Sequence, residues 1–176
     1  MGCTVPQSLR DAHPGICDPK NLDAAIEDVF SMMLGVDCKR MADVSDAESE
    51  AEQGTVTAVI GFGGVLSGAC IFRCSARAAM KLVGCMTGMS FSQVDRTVED
   101  GIGEICNMVA GAWRNRMPEL AAQCGLSVPA VVSGCGYNLH LQAFEFQLQS
   151  PYGFEEVRFS VTIACSGLQQ SKSRKK

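Results

Sequence analysis

The sequence predicts an α+β domain, a largely antiparallel sheet covered by helices. Three observations carry that prediction. Apolar residues recur at helical spacing in three segments, near Asn21–Met33, Ala76–Met89 and from Val98 onward. β-branched and alternating runs fill Thr55–Ser75 and Tyr137–Ser166. Their order, helix, hairpin, two helices and then strands, is that of a sheet with its helices segregated.

Residues 1–20 are rich in Pro, Gly and polar side chains and are expected to be loose. From Asn21, a good N-cap, "NLDAAIEDVFSMML" sets Leu22, Ala25, Ile26, Val29, Phe30 and Met33 on one helix face that ends near Gly35. The acidic stretch from Ala42 to Gln53 reads as an exposed linker inside the domain. "TVTAVIGFGGVLSGACIFRCS" is two β runs around "GFGG", which predicts a hairpin turning at the glycines. A phosphate-cradling loop would need G-K-[ST] opening a helix, and here more strand follows.

Ser75 is placed to cap the next helix, "ARAAMKLVGCMTGM", and Ser92 opens the segment of the third. That third helix is expected to continue past Pro118, kinked there, until Gly125 stops it. "VPAVVSG", the alternating "YNLHLQAFEFQLQ", a turn at "SPYG" and "EEVRFSVTIACS" follow as strands, the last with Val157, Phe159, Val161 and Ile163 on one face. The expected domain spans residues 21–166, with a basic tail at 167–176.

A chain of 176 residues, 47% hydrophobic and 19% charged, is a globular chain long enough for one ordinary core. Its net charge of −4 provides no electrostatic footprint for a phosphate backbone, so nucleic acid is not expected as a partner. The tail "SKSRKK" reads as a solvated end. No apolar run is long enough to span a bilayer, the N-terminus lacks a signal-peptide core, and Pro6 stands where a myristoylation motif needs Ser or Thr. The expected location is the cytoplasm, with no membrane partner.

Of the ten cysteines, Cys70, Cys74, Cys85, Cys106, Cys124 and Cys165 fall inside apolar periodic segments, where a free thiol behaves as a small hydrophobe. There is no C-x-x-C, and His13 and His140 are not spaced with cysteines as zinc ligands. Cys70 and Cys74 share a strand face at a spacing too long for a direct bridge. No metal site is expected on this chain.

The segment "VEDGIGEICNMVAGAWRNRM" poses the functional question. At 100° per residue Val98, Ile102, Ile105, Val109, Ala112 and Trp113 form one apolar arc. The far side then carries Asp100, Glu104, Asn107, Gly111 and Arg114, with Glu104 and Asn107 one turn apart. Gly103 and Gly111 each cost about 1 kcal/mol relative to Ala, an odd choice for a face with nothing to accommodate. Asn is also a poor helix former, whereas its amide suits holding a water in a fixed direction, and a nearby carboxylate suits pairing with a cation on an incoming surface.

"GEICNMVAG", from Gly103 to Gly111, resembles the E-x-x-N helix of the CheC/CheX/FliY class of chemotaxis phosphatases. The hairpin and helix before it, and "PAVVSG" after it, are similar to the CheX members in particular. On the early helix Glu27 is followed at that spacing by Phe30 and Asp28 by Ser31, so one motif is present, as in CheX, and not two, as in CheC. The resemblance implies a CheC/CheX-like fold and hydrolysis of the aspartyl phosphate on a CheY-like response regulator. It implies that Asn107 orients the attacking water and that Glu104 engages the regulator's lysine. Gly103, Gly111, Asp100 and Arg114 would border the docking surface, the regulator would supply Mg²⁺, and the chain would form a homodimer. A binding module that docks a receiver domain or signalling complex through the same helix, without turnover, is the alternative, and a thiol-based redox or metal protein is a third.

Overall fold

Each helix start and stop has a local cause. The computed structural model describes residues 14–42, 54–140 and 144–166, so the acidic linker from residue 43, the basic tail and most of the loose N-terminal segment lie outside the described residues. After a short 3₁₀ turn (Pro14–Cys17), helix α1 (Pro19–Val29) is capped by Asp18, not Asn21. The Asp18 carboxylate accepts from the Lys20 N–H at 3.0 Å, and Pro19 occupies a position where its missing N–H costs nothing. The last turn (Phe30–Leu34) widens into a π-helix before Gly35, which takes φ 69°. That widening advances the inward face by one residue, so Leu34 is buried and Met33 is left exposed.

Helix α2 (Ala76–Thr87) starts on the Ser75 hydroxyl, which accepts from Ala78 N at 3.2 Å, as the sequence predicts. Helix α3 (Arg96–Asn115) is capped by Asp95, whose carboxylate accepts from Val98 N at 3.0 Å. It does not run on to Gly125. It ends at Asn115, and Pro118 opens a separate short helix, α4 (Pro118–Gln123), because a proline fits the first turn better than a helix interior.

Among the described residues, seven strands form one antiparallel sheet: β1 (Lys39–Arg40), β2 (Thr55–Gly64), β3 (Ser67–Ser75), β4 (Cys124–Leu126), β5 (Ala130–Gly134), β6 (Phe146–Phe154) and β7 (Val157–Ser166). Their order is β1-β6-β7-β3-β2-β4, with β5 on the same edge of β2 as β4. The glycines of "GFGG" stay in β2, where Phe62, Gly63 and Gly64 pair with β4, and the hairpin turns after them. Ser150–Gly153 likewise stays in β6, paired to β7, and the chain turns at Glu155 and Glu156. Tyr137 does not begin a strand: its hydroxyl donates to the Thr57 Oγ1 at 2.7 Å, and β6 opens only at Phe146.

α1, α2 and α3 pack on one face of the sheet. That face is lined by Val56, Ala58 and Ile60 of β2, Cys70 and Phe72 of β3, and Val157, Phe159, Val161 and Ile163 of β7. Phe159 stacks on Phe30 and on Phe72, each with centroids 4.8 Å apart, and Phe62 meets Trp113 at 5.3 Å. Fully burying a side chain of this size contributes about 1.5–3 kcal/mol, so this layer seats α3 on the sheet.

Candidate functional site

Helix α3 buries Val98, Ile102, Ile105, Val109 and Trp113 completely, which leaves one narrow strip of its surface open. Glu104 is exposed and Asn107 is half-buried on that strip, one turn apart. Neither side chain has a hydrogen-bond or ion-pair partner among the described residues. Asp100, at the same face one turn earlier, makes only a 3.8 Å exposed ion pair with Arg96.

The strip has two walls, and glycines let both approach. On one side Gly101 faces α2, where a Cβ would lie 2.7 Å from a Val83 methyl. On the other, Gly103 lies under the chain that links β4 to β5, where a Cβ would stand 3.3 Å from Pro129 and from Val131. Gly103 is therefore buried, and its missing side chain is accounted for by contacts inside the chain. Gly111, half-buried, has Leu126 at 4.0 Å from the position of a Cβ. Arg114, expected at the docking border, has its Nη1 donating to the Cys124 carbonyl at 3.0 Å, which ties the end of α3 to the start of β4. Sequence reasoning missed Gly101 and the β4–β5 wall, since helical arithmetic describes one helix at a time.

The β4–β5 wall is a bulged edge. Between the pairs Phe62↔Leu126 and Val59↔Ala130, β2 advances by three residues and its partner by four. Ser127 anchors the bulge: its N–H donates to the Gly61 carbonyl at 2.9 Å, and its hydroxyl accepts from Gly61 N at 2.8 Å. Ser133 closes the far end by donating to Glu99 Oε1 at 2.6 Å.

All nine cysteines of the described residues are free thiols. Burial pushes Cys38 and Cys165 up to about 12 and Cys74 higher, so these sulfurs stay protonated and unreactive near neutral pH. Cys106 donates weakly to the carbonyls of Ala58 and Cys70, a packing role. Among the described residues no group of three or more His, Cys, Asp or Glu side chains could hold a metal ion. A cleft of about 470 Å³ lined by Arg77, Lys81, Cys85, Phe91 and Glu156 lies along α2 and contains neither Glu104 nor Asn107. The candidate site is a strip on the surface of α3, with Glu104 exposed and Asn107 half-buried.

The family described as chemotaxis phosphatase CheX matches residues 56–149. No curated protein is a significant match in sequence. Among solved structures, the chemotaxis protein CheX of Vibrio vulnificus superposes with a TM-score of 0.70 at 21% identity, covering 84% of this chain and 95% of that one. CheX of Desulfovibrio desulfuricans gives 0.65 at 20% identity over 84% and 97%. The CheX–CheY–BeF₃–Mg²⁺ complex of Borrelia burgdorferi gives 0.64 at 15% identity over 84% and 97%. At these identities the likeness is one of fold, an antiparallel sheet with its helices.

Proposed function

The chain belongs to the CheX family of chemotaxis phosphatases, and from that premise we propose that it hydrolyses the aspartyl phosphate of a CheY-like response regulator. The observation that carries the reading is the pair Glu104 and Asn107, one turn apart and without partners among the described residues, on the open strip of α3. Polar groups held ready in this way are available to a partner rather than spent on the fold.

In this reading the strip enters the regulator's active-site mouth. The Asn107 amide oxygen accepts a hydrogen bond from a water, and its N–H₂ donates toward a phosphoryl oxygen, which aligns the water for in-line attack. Glu104 pairs with the regulator's active-site lysine, a charge-assisted contact that sets the depth of insertion. Mg²⁺ brought by the regulator neutralises phosphoryl charge. Phosphate leaves the aspartate, water supplies the oxygen, and no covalent bond forms to this chain. A neighbour in fold is described as a complex with CheY, BeF₃ and Mg²⁺, which supports a CheY-like partner and an Mg²⁺ that comes with it.

The test is phosphate release from a phosphorylated receiver domain with Mg²⁺. Asn107→Ala is expected to lower kcat by at least about a hundredfold and Glu104→Ala to remove most of the acceleration. Wild-type turnover by Asn107→Ala would overturn the assignment. Binding of the receiver without acceleration by the wild type would make the chain a docking module.

The proposal extends to a homodimer acting in the cytoplasm. The outer edge of β5 pairs with no strand among the described residues, which leaves backbone groups for a second copy. The nine free thiols of the described residues suit a reducing compartment. Light scattering reads the mass directly, and a monomer at micromolar concentration would exclude the dimer.

A further inference from the structure

The β4–β5 bulge exposes an apolar side chain, that of Val128. Val128 is 85% exposed, the most exposed large hydrophobic side chain among the described residues, between Ser127 pinned to Gly61 and Pro129 packed toward Gly103. Its position along the helix follows from the two glycine contacts. Gly103 is opposite Pro129 and Gly111 opposite Leu126, so the connecting chain runs antiparallel to α3. Eight helical residues rise about 12 Å. Three extended residues span about 10 Å, so the corner between them passes level with Asn107.

We infer that Val128 is an apolar contact for the receiver domain, a specificity-determining residue beside the catalytic pair; this rests on the phosphatase reading above. Three observations favour it over a chance exposed valine. The corner is rigid, since the Ser127 hydroxyl both accepts from Gly61 N and donates to the Val128 carbonyl at 2.8 Å. Bulges at sheet edges re-aim side chains, and here the extra residue falls between the stretch that meets Gly103 and the one that meets Gly111. The contact is also of the kind the strip lacks. Asp100 and Glu104 are charged and exposed, contacts that set orientation and on-rate, whereas an apolar anchor supplies residence time. The glycines of α3 then have a use beyond packing: they bring this wall against the helix, so that one rigid surface presents water-holding, cationic-pairing and apolar contacts together.

The experiment measures KM and kcat of phosphate release, and the Kd of a CheY-type receiver domain trapped with BeF₃ and Mg²⁺, for wild type, Val128→Ala and Asn107→Ala. Removing two buried methylenes' worth of surface is expected to raise Kd and KM about tenfold in Val128→Ala, with the loss on KM rather than kcat. An unchanged thermal melt for Val128→Ala confirms that the fold is intact. Val128→Ala with Kd and KM within twofold of wild type would overturn the contact while Asn107→Ala, if inactive, leaves the phosphatase reading standing. If Asn107→Ala turns over like wild type, the phosphatase reading fails and the inference fails with it.

Discussion

Asn107 is half-buried where its neighbour Glu104 is exposed, and the difference comes from Gly103 and Gly111 at either side of Asn107 on the same stripe. Both glycines meet the β4–β5 chain, so Asn107 sits in a seam and Glu104 on the open rim. A held amide is the better device for directing a water, and a rim carboxylate the better one for reaching a lysine. Gly103→Ala tests the seam. The new Cβ at 3.3 Å from Pro129 and Val131 must push the corner outward by a few tenths of an ångström. The helix-propensity gain of about 1 kcal/mol offsets that crowding, so the expected change in melting temperature is small. Turnover is expected to fall about tenfold, because a shifted wall misplaces the amide. An equal loss of stability and activity would show that the glycine is needed only for folding.

At the scale of elements, α3 is positioned by close approach on one flank and by aromatic packing beneath. Gly101 carries the approach to α2, with Val83 methyls at 2.7 and 2.8 Å from the position of a Cβ. Gly101→Ala is therefore expected to destabilise by about 1–3 kcal/mol despite its better helix propensity. Val83→Ala in the same chain should recover part of that loss, a coupling that urea melts of the four-member cycle would read. Additive losses would mean that α2 and α3 do not meet at this pair. The end of α3 is held differently, by Arg114 on the Cys124 carbonyl. Arg114→Met keeps the stem and loses that hydrogen bond; a cost of about 1–2 kcal/mol in stability is expected, and a change in receiver affinity without one would return Arg114 to the docking surface.

The whole molecule carries its thiols as core atoms, and that sets its response to alkali. Cys38 and Cys165 stand at about 12 when folded, against 9.0 for the exposed thiol. Below pH 9 neither state is ionised and the full contribution of these buried groups is present. As pH rises from about 9 towards 12, the unfolded chain ionises first, and stability falls by up to about 1.4 kcal/mol per pH unit for each thiol. Urea denaturation from pH 7 to 11 should show a plateau and then a decline above pH 9. Cys38→Ala should make that decline shallower, and an unchanged slope would place the titrating group elsewhere.

Much of this was legible because it is local. The Ser75 cap, the stop at Gly35, the apolar arc of α3 and the Glu104–Asn107 neighbourhood all follow from periods and capping chemistry within one segment. The misplaced boundaries share another cause. "GFGG" and Ser150–Gly153 look like turns, yet both stay in strands because a second strand pairs with them from the other side. Gly103 reads as an opening for a partner, yet it is filled from within by Pro129 and Val131. By itself the sequence determined which residues prefer helix or strand, which face each helix buries, and that a carboxylate and an amide share a turn. Only the tertiary structure decided what lies against the other faces, because a glycine or an edge strand is satisfied by whichever distant segment the chain brings to it.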